Sequence, residues 1–303
     1  MSGKKVKKTS RKDRKDAFLV KDIDGMHAFM PYILPNRADN EAVLNEILDL
    51  SKVNDFLAEK KLSAPEFKYT VFHFILAAIA KTIQFRPYLN RFYSGHRLYQ
   101  RRDISFSFVV KKLFTDDAAE TLVIMKYDPE SGVSPLEQFN SKVKEVVTKV
   151  RKTEEASSTM DKIAFLAKIP RPVLRLVMRV LNSLDYRGRV PSSLADDDPY
   201  HVTAFVTNLG SIKMHASYHH LVNWGTNSLF CVINAKQKRP FFNDDGTYEM
   251  KDSIELGLTI DERIADGVYF AKSLRVFRHF FENPQLLDLP ASTFIEIDTN
   301  LNK

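Results

Sequence analysis

The polar side chains best placed for chemistry in this 303-residue chain gather at two strand ends. One is FVTNLG (residues 205–210), where a β-prone run reaches Thr207 and Asn208 and stops at Gly210. The other is LTIDERIADGVYF (residues 258–270), where alternation through Leu258 and Ile260 gives way to Asp261, Glu262 and Arg263, and then to Asp266-Gly267. Asp-Gly alone would make the turn, so three consecutive ionisable residues ahead of it ask for another reason. A carboxylate at such a strand end can accept a proton from a substrate, which makes general-base catalysis the first chemistry to consider.

Several other chemistries are excluded by residue type and spacing. There is no paired-cysteine motif and no HExxH helix, so no metal site is expected. His219 and His220 are adjacent and on a strand would point to opposite faces, unable to share one ion. The glycines are scattered, with neither GxGxxG nor GxxxxGK[ST] to cradle a phosphate. The single cysteine, Cys231 in SLFCVI, has no intrachain partner and reads as a packing residue.

Composition bounds the class. With 44% apolar residues the chain can bury a full-sized core. Of the net +7, residues 1–16 carry +6, from eight Lys/Arg against two Asp, so the basicity belongs to a tail and not to a folded surface. That tail has no signal-peptide apolar stretch, and no apolar run reaches the length of a spanning helix, which predicts a soluble, cytoplasmic protein. Nucleic acid is not the expected partner, although the tail could touch nucleic acid or an anionic membrane, and membrane-surface contact could also run through residues 163–184.

The elements that must position the two strand ends follow from periodicity. Val43, Ile47 and Leu48 suit a strand that runs into a helix from about Val53. Residues 70–85 repeat apolar residues at helical spacing on more than one face, predicting a buried helix stopped at Pro87. DISFSFVVKK (103–112) puts Ile104, Phe106, Phe108 and Val110 on one strand face, and TLVIMKY pairs with it. Leu136, Phe139, Val143, Val146 and Val150 mark an amphipathic helix opened by Pro135. Residues 161–190 predict a nearly all-round apolar helix starting near Pro172, with Arg171, Arg175 and Arg179 at four-residue intervals. It suits a core-covering helix with snorkelling arginines, the wall of an apolar pocket, or a membrane-surface helix. NSLFCVIN and a hairpin turning at Asp245-Gly246 supply further strands, and Phe270, Leu274, Phe277 and Phe281 line a closing helix that ends at Asn283-Pro284. The pattern predicts an α/β (α+β two-layer) fold, a mixed sheet flanked by helices in a single domain. Residues 1–16 are expected to form a disordered basic tail, 17–290 the domain and 291–303 a C-terminal tail.

FVTNLG followed 55 residues later, Thr207 to Glu262, by LTIDERIADG resembles the catalytic half of the dihydrolipoyl acyltransferases and chloramphenicol acetyltransferases. In that superfamily one strand ends in SNLG or a similar turn and a later one in DHRxxDG, more loosely HxxxDG. FHFILAAIAKTIQFRPYLNRFY (72–93) and FAKSLRVFRHFFENPQLL (270–287) occur in family order around the motifs, so the likeness spans residues 20 to 288, with 153–200 longer or differently filled. The resemblance implies a homotrimer with its active site between subunits, where acyl-CoA meets a small-molecule acceptor. It implies Thr207 as the hydroxyl that stabilises the tetrahedral oxyanion, beside Asn208. Asp266 would hold the loop, with Gly267 letting the chain turn. No lipoyl domain precedes the core, so a free-standing acyltransferase is the nearer likeness. The basic tail could also touch CoA phosphates.

The departure is at the reacting position, where the family has histidine and this chain has Glu262. An ordinary glutamate is a weaker base than imidazole by roughly two pKa units, unless burial restores its strength. Three readings follow. Glu262 is the general base of an altered acyltransferase, opposed or not by Arg263; or it pairs with Arg263 or another cation in an inactive homologue that binds a ligand or partner; or the base is reassigned to His219 or His220.

Overall fold

Period-two alternation builds the main sheet. The computed structural model describes residues 12–63, 68–111, 120–152, 168–191, 198–215 and 218–300. Its strands are β1 (Ala17–Leu19), β2 (Glu41–Asp49), β3 (Arg91–Ser94), β4 (Arg97–Arg101), β5 (Ile104–Lys111), β6 (Glu120–Tyr127), β7 (Ala204–Asn208), β8 (Leu229–Ile233), β9 (Gln237–Phe242) and β10 (Tyr248–Asp261). Its helices are α1 (Gly25–Ile33), α2 (Ser51–Ser63), α3 (Val71–Phe85), α4 (Pro135–Lys152), α5 (Arg171–Tyr186) and α6 (Gly267–Glu282). Seven strands form a mixed sheet in the order β2-β10-β8-β7-β5-β6, with β9 pairing the outer half of β10. The β7 strand runs parallel to both β5 and β8, and the other pairs are antiparallel.

Alternate residues divide the sheet into two unlike faces. Phe106, Phe108, Ala204, Val206, Leu229, Cys231, Leu256 and Ile260 point into one core with the apolar sides of α2, α3, α4 and α6. The opposite positions, Phe205, Phe230 and Val232, form a small second cluster with Leu221, to which no residue of a described helix belongs. Thr207 follows Phe205 by two and therefore shares this open face. Gly210 is required where the chain leaves β7, because a Cβ there would meet the Asn234 carbonyl oxygen at 2.7 Å.

Three features differ from the sequence expectation. A second sheet, β1-β4-β3, was not anticipated. Its β3–β4 hairpin turns through Gly95 and His96, both with positive φ (58° and 56°), the two-residue turn whose twist suits tight hairpins. Second, α5 is not a covered helix. Val173, Leu176 and Val180 are exposed, and only Asp185 of this helix is buried; residues 161–167 of the anticipated span lie outside the described part. The cleft that α5 does border, of about 400 Å³, is polar, with Arg37, Asn182, Asp185, Asn223 and Arg263 among its walls. Third, packing continues past residue 290: Ala291 and Ile295 are buried, and Lys81 on α3 donates to the carbonyls of Ala291 (2.6 Å) and Thr293 (3.0 Å).

Candidate active site

The charges of DERIADG separate as soon as the strand ends. The fully buried Asp261 carboxylate accepts Arg263 Nε at 2.8 Å and Nη2 at 2.7 Å, a bidentate pair. Arg263 spends its other terminal nitrogen on the carbonyls of Leu34 (2.9 Å) and Pro35 (3.3 Å) and lies over the Tyr93 ring. Arg37 Nε stands 3.8 Å from the same carboxylate. Burial pushes the Arg37 guanidinium down to about 10, with Asp261 opposing the shift. Strand end, small sheet and the α1–β2 connection are thus joined through one buried Arg–Asp–Arg group.

Glu262 lies between two of these residues and takes no part in them. Its backbone N–H donates to the Asn40 carbonyl at 2.9 Å, which fixes the main chain, while its side chain is exposed. Arg263 is committed to Asp261 and faces the interior. Four residues on, the Asp266 carboxylate accepts the Tyr269 N–H at 2.7 Å and caps α6. Gly267 is the first residue of that helix; its φ is not positive, and a Cβ there would meet nothing within 4 Å. The freedom expected of Gly267 is therefore not used within the subunit.

Thr207, half-buried, occupies the other end of the sheet. It pairs with Val232, which pairs with Gly257 on β10. Glu262 is five residues beyond Gly257, so the two side chains are separated by roughly 16 Å along the strands and about 10 Å across them. One subunit cannot direct both at the same reacting atom. Beside Thr207, Asn208 borders a cleft of about 550 Å³ with Lys61, Thr70, Asn234 and Lys236.

His219 and His220 are not on a strand, so they do not point apart as expected. Their ring centroids are 4.6 Å apart in an irregular segment laid over the open face. Thr259 Oγ1 donates to the His219 carbonyl at 2.6 Å, and the Leu221 N–H donates to the Glu41 carboxylate. The His219 ring stacks on Phe230 (4.5 Å, 8°), which in turn stacks on Phe205, two residues before Thr207. Among the described residues, no three His, Cys, Asp or Glu side chains could hold a metal ion. Burial raises the Cys231 thiol to about 12, which suits packing and not nucleophilic attack. The apolar cavity of about 70 Å³ beside it, between α3, α6 and the sheet, includes neither Thr207 nor Glu262.

A second polar cluster was not anticipated. His201 stands between Asp185 on α5 (Nε2 to Oδ1, 3.0 Å) and Asp198 (Nδ1 to Oδ2, 3.0 Å), and Trp224 Nε1 also donates to Asp198. Burial alone would lower the imidazole, but the two carboxylates outweigh it and raise the group to about 8. The acidic run preceding Tyr200-His201 was the only hint in the sequence.

Comparison with known proteins bears on the two motifs together. Residues 177–289, which contain Thr207, Glu262 and Asp266, match the family model for the catalytic domain of the 2-oxoacid dehydrogenases acyltransferase. The chain has the acyltransferase fold. A probable dihydrolipoamide acetyltransferase from Listeria monocytogenes 4b F2365 superposes with a TM-score of 0.55 at 18% identity, over 87% of this chain and 94% of that one. The dihydrolipoamide acetyltransferase of Azotobacter vinelandii, in a study of a serine, a histidine and an asparagine in its catalytic mechanism, gives 0.55 at 15% identity, over 89% and 94%. A chloramphenicol acetyltransferase gives 0.52 at 8% identity, over 88% and 99%. No curated protein sequence matches significantly. The resemblance drawn from the motifs is borne out at the level of the acyltransferase catalytic-domain fold. Among the described residues, no helix is long and apolar enough to cross a membrane.

Proposed function

We propose that the protein transfers an acyl group from an acyl-CoA thioester to the hydroxyl or thiol of a small acceptor, in a homotrimer whose active sites lie between subunits. One observation carries this reading: Thr207 and Glu262 occupy the two motif positions at opposite ends of one sheet, too far apart to cooperate except across copies. The Glu262 carboxylate takes the acceptor's proton as the acceptor oxygen or sulfur attacks the thioester carbon. Thr207 of the facing copy donates its hydroxyl to the oxyanion of the tetrahedral intermediate. As that intermediate collapses, the carbon–sulfur bond breaks and the departing CoA sulfur recovers the proton. Packing a second copy over Glu262 would exclude bulk water from the reacting groups. The cleft beside Asn208, with Lys61 and Lys236, suits the phosphates of CoA.

The test is release of free CoA thiol from a panel of acyl-CoAs and acceptors, with Glu262→Gln and Thr207→Val alongside. Each variant should be inactive alone, and co-assembled hybrids should regain part of the activity, because some interfaces then hold an intact pair. A Glu262→Gln enzyme as active as the wild type removes Glu262 as the base and turns attention to His219, on the same open face as Thr207.

A second reading has its own support. In one subunit Glu262 is exposed, and its neighbour Arg263 is bound to Asp261. An inactive homologue that binds a ligand or partner would show CoA binding without turnover across the whole panel.

A further inference from the structure

The helix α5 presents an apolar row and a basic row side by side to solvent. Val173, Leu176 and Val180 recur at i, i+3 and i+7 and are 50%, 62% and 51% exposed. Arg171, Arg175 and Arg179 form the adjacent row, all exposed, as are Lys168 beyond the N-terminal end and Arg187 and Arg189 beyond the other. The only acid of the helix, Asp185, is turned inward, where Arg14 Nη2 (3.2 Å) and His201 hold its carboxylate. The outward surface therefore carries apolar groups and positive charge, with no carboxylate from the helix.

The basic N-terminal segment joins the fold at this helix. Arg14 Nη1 donates to the Asp185 carbonyl at 2.7 Å, and its side chain lies where a Cβ on Gly188 would meet Arg14 Cγ at 2.5 Å. Residues 1–11, with five Lys/Arg and no acid, thus precede a residue tied to the end of α5. Nucleic acid would satisfy the arginines but would leave the valine–leucine row in water. A second copy docked through its own α5 would bring no acid to the arginines. An anionic phospholipid surface answers both rows at once, with acyl chains for one and phosphates for the other.

We infer that α5 lies flat on an anionic phospholipid surface, its Val173–Leu176–Val180 row entering the headgroup boundary while Arg171, Arg175 and Arg179 engage lipid phosphates. This is independent of whether Glu262 is catalytic, and membrane binding is scored separately from CoA release.

The test is flotation of the full-length protein with vesicles of phosphatidylcholine alone and of phosphatidylcholine mixed with phosphatidylglycerol. Binding is expected to the mixed vesicles only, and to weaken with salt. Replacing Arg171, Arg175 and Arg179 by Gln should weaken it on the order of 100-fold. Leu176→Glu with Val180→Glu, both at exposed positions, should abolish it while leaving the circular dichroism spectrum and melting temperature in place. Failure of the wild type to float with the mixed vesicles at low salt overturns the inference. So does unchanged flotation of the double glutamate variant. Light scattering provides the remaining arm: if the double glutamate variant falls apart into smaller species, the row is a subunit contact and the inference is wrong.

Discussion

Asp261 and Arg263 on one side of the comparison, and Glu262 on the other, are neighbours in sequence with opposite fates. The outer two are buried and bound to each other, with Arg37 beside them; the middle one is exposed on a main chain held by Asn40. A buried ion group joins the end of β10 to the small sheet and to the α1–β2 connection, and the side chain between its members is then presented from a fixed backbone. Charge at a strand end thus does two separable things here: one pair builds the platform, and the single residue left outside is available for chemistry.

The largest effect should come from breaking the platform. Asp261→Ala leaves two buried guanidinium groups without their carboxylate, and should cost about 3–5 kcal/mol, read as a fall in the urea midpoint or loss of folded protein. Glu262→Gln should behave in the opposite way. Its unfolding midpoint should stay within about 0.5 kcal/mol of wild type, as at ordinary surface sites, while acyl transfer falls roughly 100-fold or more. If both variants lose stability alike, the division between platform and reactive residue fails.

His201 sharpens the comparison because it is a locked charge that can titrate. Its folded-state pKa is raised to about 8, so its contribution is fully present below the ordinary histidine value of about 6.5 and is lost as pH rises through about 8. The unfolding free energy should drop by an amount of order 2 kcal/mol between about pH 6 and pH 9, and His201→Gln should flatten that dependence. The smallest effects belong to the turn itself. Asp266→Ala removes the cap of α6 and should cost about 1 kcal/mol. Gly267→Ala, in a helical position with free space around its Cβ, should be neutral or add up to about 1 kcal/mol to stability in thermal melts.

Local rules made much of the fold legible. The β5–β6 pair, α3, the Asp245-Gly246 hairpin and the closing helix each announce themselves by period or turn chemistry, and each lies where its residues put it. The small sheet escaped because strands of three to five residues have too little alternation to register, although Gly95-His96 marked the turn. The exposure of α5 escaped for another reason: an apolar stripe has the same composition whether protein or lipid covers it. Within the candidate site, motif order singled out Thr207, Glu262 and Asp266, but not the distance between the first two within a subunit. The inward turn of Arg263 was hidden, since its partner is the residue two places before it and its other acceptors are carbonyls some 230 positions away. A carbonyl acceptor leaves no mark on side-chain sequence.

The separation of Thr207 from Glu262 across the sheet has a consequence for populations of molecules. A reaction that needs both is not a property of a chain but of a contact between chains, so specific activity should decline on dilution even though each chain stays folded. On the proposed function, mixed assemblies of wild-type and Glu262→Gln chains would lose only the sites to which the variant contributes the carboxylate, since its Thr207 would still serve a neighbour, and activity would be graded by stoichiometry.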